Sequence, residues 1–125
     1  MGSRKIIISA GDVHVTAELG DTPTADAVWE ALPFEAAAST WGDEIYFGIP
    51  VSAGEEPGAG PVVEMGAMAY WPPGSAMCLF FGRTPASRGD EIRAASAVNV
   101  FGSIDGDPTV LKRVRDGARI TVARA

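Results

Sequence analysis

The sequence predicts a mainly β protein, a closed and largely antiparallel β-barrel of about eight short strands with two short helices. Of its 125 residues, 15 are glycine and 9 are proline, and this content favours many turns and short strands. Hairpin signals dominate and no regular alternation of strands with helices is present, so neighbouring strands should pair antiparallel. A closed barrel would hide the edges of so many strands. Because no linker or internal repeat divides the chain, we expect one domain over residues 1–125.

Eight stretches carry the strand signal, which is a run of apolar or alternating residues bounded by turn residues. They span residues 6–10, 13–19, 34–40, 44–49, 62–66 continued by 67–71, 76–81, 97–104 and 119–124. In the fourth stretch Ile45 and Phe47 share one face, whereas Glu44 and Tyr46 share the other, because side chains alternate along a strand.

Helix caps and polar loops fill the intervals between these strands. Thr22 and Asp107 can each cap a helix that starts at the proline that follows it. The sequence Trp71-Pro72-Pro73-Gly74-Ser75 predicts a stiff turn, because two prolines fix φ and remove two donors. Two long polar loops are expected at 51–61 and 82–91, and the first should be mobile with both of its glutamates solvated.

The charge and hydropathy of the chain exclude several classes of function. Ten basic and sixteen acidic residues give a net charge of −6, which argues against binding to nucleic acid or to an anionic membrane. A basic strip at Lys112, Arg113 and Arg115 suits the C-terminus of the second predicted helix. No stretch is long enough to span a membrane. The start of the chain leads into only three isoleucines, too few for a signal peptide core, so we expect a soluble, cytoplasmic protein.

Cysteine and histidine are each present once, which limits metal and disulfide chemistry. Cys78 can form no internal disulfide, and its position in an apolar strand favours a small buried hydrophobe over a nucleophile. His14 falls on the polar face of its strand and cannot build a histidine-rich metal site. We therefore expect neither a metal nor a cofactor.

Three segments of the chain carry a resemblance to a known family. They are Trp41-Gly42-Asp43-Glu44-Ile45-Tyr46-Phe47, the run from Ala69 through Tyr70-Trp71-Pro72-Pro73-Gly74 to Gly82-Arg83-Thr84-Pro85, and Val98-Asn99-Val100-Phe101-Gly102. Their order and spacing resemble the small prokaryotic cyclophilin-like proteins of the TM1367 type over nearly the whole chain. The resemblance implies a cyclophilin-like β-barrel. The chain departs from the family pattern at Ala67, where an aspartate is expected, and at Ser75, where an asparagine is common.

The resemblance raises prolyl isomerisation as one activity. True cyclophilins isomerise X-Pro bonds with an arginine and a neighbouring Phe-Met-x-Gln segment, and that segment is absent from this chain. An isomerase would therefore need a divergent site and would act on a proline-containing peptide.

Aromatic side chains near the turn predict a pocket for a small ligand. Aromatic residues combined with a few polar groups are typical of such pockets. The candidate ligand-binding residues are Trp41, Tyr70, Trp71, Phe81, Arg83 and Asn99. Alternatives stay open for each type: the aromatics can form a plain core, Arg83 can be an exposed loop residue, and Asn99 can fix a neighbouring loop.

Glu44 and Tyr46 are the candidate catalytic residues. If their face lines a pocket, burial would raise the pKa of Glu44 and make it a general acid or base, or a ligand anchor. The alternative is a solvated strand glutamate. The leading hypothesis is a module that binds a small apolar molecule or a peptide. Its rivals are an enzyme that acts on a small metabolite through Glu44, a divergent isomerase, and a homo-oligomer with exposed aromatics in its interface.

Overall fold

A computed structural model describes residues 4–125. Residues 1–3 lie outside the described range. Ten strands and one α-helix make up its regular structure. In chain order they are β1 Arg4–Ala10, β2 Val13–Leu19, α1 Pro23–Ala31, β3 Phe34–Ala37, β4 Ser39–Thr40, β5 Glu44–Gly48, β6 Gly60–Val63, β7 Ala67–Trp71, β8 Ala76–Phe80, β9 Ile92–Ile104 and β10 Arg119–Arg124. Two short 3-10 helices, Pro72–Gly74 and Pro108–Arg113, complete it.

The strands form an antiparallel sheet in the order β3-β10-β1-β2-β9-β7-β8-β5-β4, with β6 paired to β9 beside this path. The mainly β, antiparallel prediction is confirmed. The prediction of a closed barrel is not confirmed, because the hydrogen-bonded path ends at β3 on one side and at β4 on the other.

The predicted strand 34–40 accounts for this open path. It is interrupted at Ala38, whose backbone bonds the loop at Gly117 and Ala118. The residues before Ala38 pair with β10, and the two residues after it pair with β5. One continuous stretch of chain therefore forms both edge strands of the sheet, β3 and β4.

Three further predicted elements differ in the structure. The stretch predicted over 62–71 is two strands, β6 and β7, because the chain turns at Gly66, whose φ is 84°. The second predicted helix is a 3-10 helix of six residues, Pro108–Arg113; Asp107 caps it as expected by accepting a bond from the Thr109 backbone N–H at 2.9 Å. The tighter 3-10 form is frequent in segments that connect other elements, and this one connects β9 to β10. Strand β9 starts at Ile92, five residues earlier than the predicted Ala97, because its first half pairs with β6.

Apolar side chains pack on both faces of the central strands. One face carries the main core, which we call the inner core, and which includes Ile6, Ile8, Val28, Ile45, Phe47, Met68, Tyr70, Met77, Leu79, Phe101, Ile120 and Val122. The opposite face carries a smaller group, the outer cluster, which consists of Val63, Ala67, Ala69, Cys78, Phe80, Ile92, Ala94 and Val98, with Tyr46 and Trp71 packed against it. Strands β5, β7 and β8 lie between the two, and the ribbon of β6 and the first half of β9 supplies the other side of the outer cluster.

Candidate functional site

A cavity of about 260 Å³ opens beside the outer cluster. The residues that line it come from the β4–β5 turn and from four strands. They are Trp41, Glu44, Tyr46, Trp71, Cys78, Ala94, Ala95 and Val98. A cavity of about 150 Å³ is known to hold benzene, so this space suits a ligand of about ten non-hydrogen atoms. Four of the candidate residues, Trp41, Glu44, Tyr46 and Trp71, are brought together here.

Glu44 is the only carboxyl group in the lining and is almost completely buried. It is the first residue of β5 and its relative exposure is 5 %. Among residues 4–125, its Oε1 has no hydrogen-bond partner. Removal from water raises its pKa to about 7, although a hydrogen bond from the Cys78 thiol opposes part of this shift. Near neutral pH the group therefore populates both protonation states, so it can accept a hydrogen bond, donate one or exchange a proton.

Cys78 lies diagonally across from Glu44 in the register of β5 with β8, where Tyr46 is its direct partner. The thiol is buried, and burial raises its pKa far above the ordinary value, with the neighbouring Glu44 carboxylate adding to the effect. The thiol therefore stays protonated and acts as part of the pocket wall. This arrangement agrees with the small buried hydrophobe expected from the sequence.

Trp71 is positioned by the stiff turn that follows it. Its indole Nε1 donates a hydrogen bond to the Ser96 Oγ of β9 at 2.7 Å, which joins the two sides of the pocket. The ring lies directly over Gly74: a Cβ added to that glycine would stand 2.7 Å from the Cε3 of Trp71. The chain leaves the turn through Ser75, whose φ of 46° lies in the left-handed region, where asparagine is tolerated better than serine.

Trp41 belongs to the β4–β5 turn, which packs against the loop that follows β8. Gly42 has a φ of 61°, and a Cβ there would stand 2.9 Å from Pro85. The Asp43 backbone N–H donates to the Arg83 carbonyl at 2.9 Å. The two sequence motifs therefore pack on one another. Arg83 contributes this carbonyl, while its side chain is exposed and lies outside the pocket lining.

Tyr70 lies outside the pocket although it is the neighbour of Trp71 in sequence. Adjacent residues of a strand point to opposite faces, and Tyr70 is completely buried in the inner core. Its hydroxyl donates to the Val51 carbonyl at 2.7 Å and accepts from the Ala53 backbone N–H at 3.3 Å. Phe81 is likewise buried in the inner core.

Asn99 fixes the loop 51–61 and takes no part in the pocket lining. Its Oδ1 accepts from the Glu56 backbone N–H at 2.8 Å, and its Nδ2 donates to the Gly54 carbonyl at 2.8 Å and to the Thr24 Oγ1 at 3.2 Å. The prediction that both glutamates of this loop are solvated is wrong for Glu56. That carboxylate accepts bonds from the backbone N–H and the hydroxyl of Thr24, because the loop lies against the start of α1.

Sequence reasoning missed the wall that β9 provides. Ala94, Ala95 and Val98 carry no functional group, and they shape the pocket by being small. The available signal was the run Ala94-Ala95-Ser96 ahead of the predicted strand. It is weak, because short residues are equally common in loops.

Among residues 4–125, no group of three histidine, cysteine, aspartate or glutamate side chains is placed to hold a metal ion. Within the same range, no helix has the length and apolar character needed to cross a bilayer.

Comparison with known proteins agrees with the fold. The sequence pattern of the family described as Cyclophilin-like matches residues 4–123. The chain belongs to the cyclophilin-like family. The structure of this cyclophilin-like protein is similar to the solution structure of a hypothetical protein from Archaeoglobus fulgidus, with 43% sequence identity and a TM-score of 0.83 over 98% of this chain and 95% of that one. No curated protein matches.

The three segments that carried the family resemblance meet at the pocket of this cyclophilin-like protein. The first supplies Trp41, Glu44 and Tyr46, and the second supplies Trp71 and Cys78. The third begins at Val98, the last of the β9 residues in the lining. Only the pair Ala94 and Ala95 comes from outside them.

Proposed function

We propose that this cyclophilin-like protein binds a compact, largely apolar small molecule in the pocket beside the outer cluster. The Glu44 carboxyl pairs there with a hydrogen-bond donor of the ligand. The observation that carries the proposal is the buried Glu44 Oε1, which has no partner in a cavity lined by aromatic and alkyl side chains. A buried polar atom without a partner costs about 1–3 kcal/mol, and a donor on the ligand would remove that cost.

The volume and the lining of the cavity favour a small molecule over an X-Pro peptide. The space holds about ten non-hydrogen atoms. No arginine lines the pocket within the described range 4–125, so the group that cyclophilins direct at the twisted amide has no counterpart in this lining. Trp71 and Ser96 bridge the two walls, which favours a preformed site.

The experiment is a nuclear magnetic resonance titration with apolar compounds of about ten non-hydrogen atoms, each with one N–H or O–H group. We expect the indole N–H signals of Trp41 and Trp71 to shift. The third tryptophan, Trp29, should not shift, because it lies on α1 with the Arg124 guanidinium 4.2 Å from its ring centre.

A matched pair of variants tests the location of binding. Ala95 is exposed at the pocket rim, so Ala95→Phe should block binding without disturbing the core. Ala37→Phe, at an exposed position on β3, should leave binding unchanged. The proposal fails if no compound shifts the two pocket indoles, or if Ala95→Phe binds as well as the wild-type protein.

A further inference from the structure

The chemistry of the pocket lining selects a more specific class of ligand than an apolar molecule. Three of its side chains, Trp41, Tyr46 and Trp71, are aromatic, and the faces of such rings attract cations. Glu44 is the single acidic group among the lining residues, and none of them is basic. A negative charge on Glu44 therefore has no positive partner within the lining.

We infer that the pocket binds a protonated alkylamine that keeps at least one N–H. This inference rests on the proposed function of the pocket. The N–H would donate to the Glu44 Oε1, which has no partner, and the alkyl groups would contact Ala94, Ala95 and Val98. The aromatic rings would surround the positive charge. The net charge of −6 adds a long-range attraction for cations.

The unpartnered oxygen distinguishes amines with an N–H from quaternary ammonium ions. Aromatic residues alone are sufficient to attract a quaternary ammonium group, but such a group has no hydrogen to donate. It would leave the Glu44 Oε1 without a bond, at the usual cost of a buried polar atom without a partner. We therefore expect a tertiary amine to bind more tightly than its quaternary analogue.

Binding of a cation should depend on pH through Glu44. The titratable groups that line the pocket with Glu44 are the Cys78 thiol on β8 and the Tyr46 phenol on β5, while β9 contributes only alkyl groups. Burial raises the pKa of Glu44 to about 7, and a bound cation stabilises the ionised form. The affinity for an amine should therefore rise as the pH rises toward 8 and Glu44 loses its proton.

The test compares three compounds of similar shape by calorimetric titration between pH 5.5 and 8. They are protonated N,N-dimethylbenzylamine, benzyltrimethylammonium and the neutral alcohol 2-methyl-1-phenylpropan-2-ol. At pH 8 we expect the tertiary amine to bind about tenfold more tightly than the alcohol, with the quaternary ion between them. Between pH 8 and pH 5.5 the amine should lose about tenfold in affinity, and the alcohol should show no such loss.

Two variants assign the effect to the carboxyl group. Glu44→Gln should bind the alcohol but should reduce the advantage of the amine to about twofold or less. Glu30→Gln, which removes the same charge from an exposed position on α1, should behave as the wild-type protein.

The outcomes separate the inference from the proposed function. If the alcohol binds as tightly as the amine at pH 8, or if Glu44→Gln keeps the full advantage of the amine, the inference is overturned while binding to the pocket stands. If none of the three compounds binds, the inference is overturned, and the proposed function is decided by the resonance titration described above. The expected order of affinities, abolished in Glu44→Gln, supports both.

Discussion

Glu44 and Cys78 show how the surroundings of a residue decide its chemistry. Both are buried next to each other at the edge of the outer cluster, where neither is close to a positive charge in the pocket lining. Burial disfavours the ionised form of each, so the pKa of the carboxyl rises to about 7 and that of the thiol rises above its ordinary value. The carboxyl can still exchange its proton near neutral pH, whereas the thiol cannot.

The burial of Cys78 predicts a thiol that reacts very slowly. Alkylation requires the thiolate and access for the reagent, and this thiol is 3 % exposed in a strand with paired neighbours. We expect iodoacetamide at pH 8 to modify the native protein roughly 100-fold more slowly, or slower still, than the protein unfolded in urea. Mass spectrometry measures both rates without ambiguity, because the chain has one cysteine. Equal rates would show that this wall of the pocket opens freely.

Strand alternation in the sequence predicted which neighbouring residues face opposite sides. It could not show which residues of different strands share a face. Strand alternation placed Glu44 and Tyr46 opposite Ile45 and Phe47, as the structure does. The same alternation requires Tyr70 and Trp71 to face opposite sides. Which of the two shares a face with Glu44 depends on how β7 pairs with β8, and that register is a long-range property that local sequence does not encode.

At the scale of elements, the Trp-Pro-Pro-Gly turn and the β4–β5 turn build the pocket from packed backbone. Gly74 leaves room for the ring of Trp71, and Gly42 leaves room for Pro85. Glycine is required at these places because another chain segment approaches closely. The turn at 71–75 was predicted from its prolines, but the contact between the ring and the glycine was not.

The contact between Gly74 and Trp71 predicts the effect of a single methyl group. In Gly74→Ala the new Cβ would overlap the indole ring, so the ring must move and its bond to Ser96 should break. We expect the free energy of unfolding to fall by about 1–2 kcal/mol and the Trp71 indole N–H resonance to shift.

Gly48→Ala is the matched control for this methyl group. Gly48 ends β5, and a Cβ at this position has no heavy atom within 4 Å. This variant should leave both the unfolding free energy and the Trp71 resonance nearly unchanged. A Trp71 signal that is the same in Gly74→Ala and in the wild-type protein would contradict the positioning role of the turn.

Element boundaries were harder to predict wherever tertiary pairing decides them. The first half of β9 contains the polar residues Arg93 and Ser96, and it is a strand because β6 pairs with it. The segment 34–40 looks continuous in sequence, yet it divides at Ala38 because two different partners, β10 and β5, use its two halves. Neither feature follows from local propensity.

For the whole molecule, the sequence was sufficient to predict a mainly β, antiparallel, cyclophilin-like fold. Alternating strands and turn residues are local signals, and the three family segments supply every residue of the pocket lining except Ala94 and Ala95. The division of the apolar residues into an inner core and an outer cluster could not be predicted, because it depends on the ribbon of β6 and β9. The β9 half of that ribbon lines the candidate site together with Glu44.

The most direct test of this account is the pH dependence of stability, because a buried carboxyl without a charged partner affects the whole fold. Glu44 has a folded-state pKa of about 7, above the ordinary value of 4.5. Protonated Glu44 therefore contributes its full stabilisation below pH 4.5, and this contribution is lost as the pH rises through 7.

The measurement is urea unfolding of the wild-type protein and of Glu44→Gln from pH 5 to pH 8.5. Groups common to both proteins cancel in the difference, which isolates residue 44. We predict that the wild-type protein loses about 2–3 kcal/mol relative to Glu44→Gln across this range, with most of the loss complete by pH 7 to 7.5. Parallel curves for the two proteins would show that Glu44 is solvated or paired in solution, and they would contradict the account of the pocket.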